Sequence, residues 1–190
     1  MATASRSGSS SVTRSENERL QAIIDAIVGE TVEYLSGQIE AGAEAVQLFD
    51  SWAGSLAPDE FERWVIAPNA RIAAAVQARC PGVPVIGFPK GAGAKLADYA
   101  RETGVDAVGV DETIDPVWAA RELPAGMPVQ GNLDPLLLMA GGDRLVERTQ
   151  AILRAFADRP HVFNLGHGIG QHTPIPHVEA LRDTVRAWRG

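Results

Sequence analysis

The sequence predicts an α/β fold, a partial (β/α)8 TIM-type barrel of five parallel strand–helix units with a leading helix. Three observations lead there. Five short apolar runs alternate with stretches of helical periodicity, the pattern of a parallel sheet joined by right-handed crossovers. Each run gives way at its C-terminal end to polar residues or glycines, as barrel strands do at their mouth loops. The 190 residues fall short of the roughly 200–250 that a complete eight-unit barrel needs.

The elements follow in order. Residues 1–15 are rich in Ser, Thr, Ala and Gly and lack the apolar core of a secretory signal. They are expected to form a disordered tail, with 16–190 the barrel portion. Leu20, Ile23, Ile24, Ile27, Val28, Val32, Leu35 and Ile39 then recur at steps of three and four, the stripe of a long amphipathic helix. After Ala41-Gly42-Ala43 comes a strand, Ala45-Val46-Gln47-Leu48-Phe49, and a loop from Asp50 to Gly54. Pro58-Asp59-Glu60 opens a helix reaching about Arg79, kinked at Pro68. The cycle repeats with a strand over 83–88 and a helix over 94–102, then a strand over 107–110 and a helix over 116–122. A strand over 127–130, a helix over 143–157, the strand starting at His161 and a last helix over 176–188 complete the series.

Composition excludes several classes of function. Hydrophobic residues make up 45% of the chain and its net charge is −7. No apolar stretch approaches the roughly 20 residues of a membrane span. The acidic balance argues against nucleic acid as a partner, and a polyanionic small molecule would need local cations. Cys80 is the lone cysteine and sits in a helix-to-strand turn away from the strand C-terminal ends, so a disulfide framework is ruled out and the cytoplasm is the expected compartment. His161, His167, His172 and His177 lack the paired helical spacing of a zinc site, and Gly91-Ala92-Gly93 lacks the rest of a dinucleotide fingerprint. Neither a metal nor an organic cofactor is expected.

Chemistry is therefore sought at the strand ends, which converge on one mouth in a barrel. They carry Asp50 and Ser51 after the first strand, Lys90 after the second, Asp111 after the third, Asn132 and Asp134 after the fourth, and Asn164 and His167 after the fifth. Each has a plainer reading. Asp115 and Asp134 each precede a proline and read as helix N-caps. Asp111 reads equally well as an acceptor for loop amides, and His167 alone as a turn or capping residue. Ser51 follows a strand without a helix directly behind it, and Lys90 is placed to meet an anion, whereas Lys95 is expected to point outward. His161 begins its strand at the wrong end for the site, and His177 reads as a helix-surface residue.

Four motifs, in order, resemble the uroporphyrinogen decarboxylase family: Gln47-Leu48-Phe49-Asp50-Ser51-Trp52-Ala53-Gly54, Val85-Ile86-Gly87-Phe88-Pro89-Lys90-Gly91-Ala92, Gln130-Gly131-Asn132-Leu133-Asp134-Pro135 and Asn164-Leu165-Gly166-His167-Gly168-Ile169. The resemblance runs from about Leu20 to the end. It implies a cofactor-independent carboxy-lyase of haem biosynthesis, usually a homodimer, that converts the four acetate side chains of uroporphyrinogen to the methyl groups of coproporphyrinogen. It also implies that Ser51 and His167 bind the tetrapyrrole's carboxylates or neighbouring groups and that Phe49 forms part of the apolar wall; Lys90, Asp50 and Asp111 are further substrate-binding candidates by their positions at strand ends.

The family's N-terminal half carries carboxylate-gripping arginines, a central aspartate for the pyrrole N–H groups and a pocket tyrosine. Nothing in residues 1–20 resembles those motifs, so the resemblance implies the last five strands without the first three and no catalytic residue in this chain. Two readings follow: a decarboxylase portion inactive alone, working with a complementary N-terminal half, or a non-catalytic half-barrel remnant that binds a partner chain or tetrapyrrole. A zinc-dependent methyltransferase of the same barrel superfamily would need thiolate and imidazole ligands after its strands, and Cys80 is elsewhere.

Overall fold

Each of the five apolar runs becomes a strand in the computed structural model, which describes residues 9–189: Val46–Asp50 (β1), Val85–Pro89 (β2), Ala107–Gly109 (β3), Val129–Leu133 (β4) and His161–Leu165 (β5). They form one sheet in the order β1-β2-β3-β4-β5, every neighbouring pair parallel. Sequential order with parallel pairing is the strand arrangement of a (β/α)8 barrel, as expected. β4 runs on through Gly131-Asn132-Leu133, which the sequence reading assigned to the loop.

The helices between them are Ser9–Glu40 (α1), Pro58–Phe61 (α2), Ala67–Arg79 (α3), Leu96–Glu102 (α4), Pro116–Glu122 (α5), Pro135–Ala140 (α6), Asp143–Ala155 (α7) and Ile175–Ala187 (α8). A π-helical turn, Glu62–Ile66, joins α2 to α3 just before Pro68, where the missing N–H interrupts the regular ladder. Residues 1–8 of the expected tail lie outside the described residues, and from Ser9 the backbone belongs to α1. Asp115 accepts from the Val117 N–H (2.9 Å) and Asp134 from the Leu136 N–H (2.8 Å), so both act as the N-caps their sequence contexts suggest.

Strand alternation separates two faces. Val46 stands beside Val85 in the ladder, and Val108 beside Val129; all four are buried beneath the helices. Burying one such side chain contributes about 1.5–3 kcal/mol. The opposite face carries Gln47, Phe49, Phe88 and Gln130. A flat sheet would hold β1 and β4 about 14 Å apart, three strand spacings. Yet Gln130 Nε2 donates to Gln47 Oε1 at 3.1 Å, so the sheet curls around this face as a barrel wall does.

The stripe expected along α1 divides in two. Val28 and Leu35 are buried and Ile24, Val32 and Ile39 pack on the core, but Leu20, Ile23 and Ile27 are exposed. His177, expected on a helix surface, is partly buried: its Nδ1–H donates to the carbonyls of Leu138 (3.2 Å) and Met139 (3.1 Å), capping α6. Those carbonyls are orphaned by the helix end, and sequence spacing gives no sign that α8 supplies their donor.

His161 lies at the N-terminal end of β5, between the Phe156 and Phe163 rings, with Nε2 2.7 Å from the Gly131 carbonyl. Burial holds its pKa below the usual 6.5, with the hydrogen bond pulling the other way. The unfolded chain therefore takes up this proton at a higher pH than the folded one. The contribution of neutral His161 is complete above the unfolded value and is lost as pH falls from about 6.5 through the lower folded value. Urea midpoints are expected to fall between pH 7.5 and 5.5, and His161→Gln to remove part of that fall. Equal falls in both proteins would assign the pH dependence to other groups.

Candidate active site at the strand C-terminal ends

On the curled face, Gln47 and Phe49 from β1, Phe88 from β2 and Gln130 from β4 meet the segment 164–169 around one cleft of about 320 Å³. Phe49 and Phe88 pack edge to face, with centroids 5.8 Å apart, yet Phe49 remains 70% exposed to the open side. Gly109 makes room for this pair, because a Cβ there would lie 2.4 Å from the Phe88 ring. The result is an aromatic wall over a floor of two paired carboxamides.

The loop after β5 is anchored from below. Gly166 donates its N–H to the Leu133 carbonyl at 2.8 Å and packs so closely that an added Cβ would stand 2.1 Å from the Glu112 nitrogen. His167, the next residue, is exposed and lines both the mouth cleft and an adjoining one of about 340 Å³ beside Asp134, Leu136 and Met139. Its ring can thus meet a ligand from either side.

The loop after β1 is held by groups the sequence reading placed otherwise. Lys95, expected to point outward, turns inward: Nζ donates to the carbonyls of Leu56 (2.6 Å) and Gly54 (3.3 Å) and lies 5.0 Å from the Phe61 ring centre. Its charge satisfies carbonyls that a tight loop leaves unpaired. Asp50 accepts from the Trp52 N–H at 3.2 Å. Ser51 is exposed on this pinned loop and outside the cleft lining.

The remaining candidates hold loops together. Asp111 is buried and accepts from the Gly91 N–H (2.7 Å), the Thr113 N–H (2.8 Å) and the Thr113 hydroxyl. This is the loop-amide role its position allowed. Asn132 is buried beside it and donates to the carbonyls of Asp111 (3.0 Å) and Ile114 (2.7 Å). Lys90 lies 3.9 Å from the Glu112 carboxylate, both side chains about one-quarter exposed. Its charge is partly offset before any ligand arrives.

The structure therefore brings Phe49 and His167 together in one cleft, leaves Ser51 outside its lining, and engages Asp50, Lys90 and Asp111 in protein contacts. Sequence reasoning missed Gln47 and Gln130 as lining residues. The available signal was parity: Gln47 is two residues before Phe49 and so shares its face. Among the described residues, no three His, Cys, Asp or Glu side chains converge on a metal-binding arrangement, and no helix is long and apolar enough to cross a membrane.

A larger cleft of about 480 Å³ lies against α7, lined by Glu112, Asn132, Asp134, Arg144 and Arg148. Its orphan polar atoms, Asn132 Oδ1 and Glu112 Oε2, are sealed from solvent, and it has no aromatic wall. The smaller mouth cleft is the better candidate on chemistry.

The family model described as uroporphyrinogen decarboxylase (URO-D) matches residues 4–188. A uroporphyrinogen decarboxylase of Novosphingobium aromaticivorans is 78% identical over 168 residues, covering 88% of this chain and 49% of the relative. That of Erythrobacter litoralis is 72% identical over 171 residues, covering 90% and 50%. That of Granulibacter bethesdensis is 52% identical over 169 residues, covering 89% and 49%. The chain spans about half the length of the curated relatives it matches.

Proposed function

Because the chain belongs to the uroporphyrinogen decarboxylase family, we propose that it supplies five strands of a decarboxylase barrel acting on uroporphyrinogen in the cytoplasm, the other three corresponding to the part of the relatives' length that it does not span. The observation carrying this reading is the cleft at the strand C-terminal ends, which the Phe49–Phe88 wall and His167 line together. An apolar wall suits the faces of pyrrole rings, and the open rim suits carboxylates that keep part of their hydration.

Protonating a pyrrole ring carbon makes that ring an electron sink. The acetate C–C bond breaks, carbon dioxide leaves, and its bonding electrons flow into the ring; a proton added at the exocyclic carbon gives the methyl group, and the ring carbon gives up its own added proton to restore the pyrrole. The chain's part in this reaction is placement. His167 and Ser51 donate hydrogen bonds to peripheral carboxylates, and Phe49 and Phe88 fix the ring plane. Lys90 is held by Glu112, so an acidic chain of net charge −7 needs further cations from its partner to receive a ligand with eight carboxylates.

In a barrel completed by the N-terminal half of the Novosphingobium relative, His167→Ala and Ser51→Ala are each expected to lower kcat/KM about ten- to a hundredfold. That is the loss of one hydrogen bond to a charged group, about 1.5–3 kcal/mol. Both residues are exposed on loops, so unfolding midpoints should stay unchanged. Wild-type rates at subsaturating substrate in both variants would remove these residues from the site.

A further inference from the structure

Apart from His167, the mouth cleft is lined by uncharged residues: Gln47, Phe49, Phe88, Gly109, Gln130 and the segment 164–169 contribute no Lys, Arg, Asp or Glu. Its polar groups are carboxamides. The half-buried Gln47 and Gln130 have four N–H donors between them and spend one on each other, across 3.1 Å. That count holds for either orientation of the pair. Asn164 spends its Oδ1 on the Leu165 N–H (2.8 Å), which leaves its Nδ2 group for the cleft.

Neutral donors beside an aromatic wall suit one carboxylate carried on a ring. At about 320 Å³ the cleft is at the small end of ligand sites, room for one pyrrole with its acetate and not for a four-ring ligand. Decarboxylation takes the charge off the carboxylate: carbon dioxide leaves neutral, and the bonding pair moves into a ring that a proton from solvent has made cationic. A second solvent proton completes the methyl group as the ring carbon releases the first, so one proton is consumed per carbon dioxide. A Lys or Arg on that carboxylate would bind the ground state more strongly than the transition state. Carboxamides hold and orient the group with far less of that bias. A carboxylate that serves only as an anchor has no such reason to avoid a cation.

We propose that the Gln47–Gln130 pair, with Asn164, is the subsite for the acetate undergoing reaction, and that cations elsewhere in the complete barrel hold the carboxylates that do not react. The proposal rests on the reading of this chain as part of a decarboxylase barrel and assigns which carboxylate its cleft receives. Both glutamines stand on strands, β1 and β4, so the subsite is more rigidly placed than one built on loops.

The test is steady-state decarboxylation by the 190-residue chain complemented with the N-terminal half of the Novosphingobium relative. Gln47→Lys and Gln130→Lys are expected to lower KM while lowering kcat about tenfold or more, the signature of a stabilised ground state. Gln47→Met and Gln130→Met keep the bulk and remove the donors, and should raise KM while leaving kcat within about twofold. Val117→Lys, exposed on α5, adds the same charge elsewhere and should change neither constant. A merely structural role in curling the sheet would lower kcat and unfolding midpoints in the Lys and Met variants alike, and would overturn the proposal. A second measurement needs no turnover. Pyrrole-3-acetate added to the isotope-labelled chain should shift the side-chain amide signals of Gln47 and Gln130, identified by their loss in the methionine variants, whereas 3-methylpyrrole should leave them in place. Lysine variants with undiminished kcat, or amide signals that ignore pyrrole-3-acetate, would overturn the proposal; if the lysine variants do not fold, the methionine variants and the amide shifts decide it. Amide shifts without turnover by the unsubstituted mixture would remove the proposed function and leave a carboxylate site. Turnover without the shifts or the KM–kcat pattern would do the reverse.

Discussion

Gly166→Ala is expected to destabilise the chain at the upper end of the about 1–3 kcal/mol typical of overpacking, and to displace His167 from the mouth. The added Cβ would lie 2.1 Å from the Glu112 nitrogen, 2.7 Å from its Cα and 2.8 Å from the Asp111 carbonyl carbon. All three are backbone atoms, so no side-chain rotation relieves the contact. Neither partner segment is free to yield. Asp111 is tied through its carboxylate to Gly91 and Thr113 and through its carbonyl to Asn132, while Gly166 is itself bonded to Leu133. Gly168, two residues on, is the control, since a Cβ there would meet nothing within 4 Å. Gly168→Ala should therefore change stability by no more than about 0.5–1 kcal/mol, in the stabilising direction if anything. Urea unfolding of both variants checks this; equal stabilities would show that the β5 loop is not locked to the β3 loop.

Much of this architecture is legible in the sequence because its causes are local. The strand positions follow from short β-branched runs such as Val85-Ile86, and α5 and α6 begin where Asp-Pro pairs supply a cap and a preset φ. His167 is legible as a cleft-lining residue because strand ends converge in a barrel, and Phe49 because its motif resembles the family's. The illegible part depends on neighbours distant in sequence. Lys95 turns inward because the loop at 54–56, about forty residues earlier, leaves carbonyls unpaired. His177 caps a helix that periodicity cannot connect to it. The Gln47–Gln130 pair exists because curvature brings β1 and β4 together, and α1 reads as a single stripe because periodicity does not say which side of the sheet ends first.

The largest effect should come from completing the barrel. In the five-strand sheet β1 and β5 each lack a neighbour among the described residues. The curled face is open enough to leave Phe49 70% and Val162 56% exposed. Exposed strand edges and apolar faces favour aggregation and leave the ligand hydrated on one side. Lys90 is also shared with Glu112 and Lys95 is consumed by its loop, and the residues lining the mouth cleft include no Lys or Arg. The decisive measurement is carbon dioxide release from uroporphyrinogen by the 190-residue chain alone and by the same chain with the N-terminal half of the Novosphingobium relative in trans. The account predicts no turnover above background from either polypeptide alone and coproporphyrinogen formation from the mixture. Turnover by the isolated chain at the rate of the mixture, or none from a well-formed complex, would contradict it.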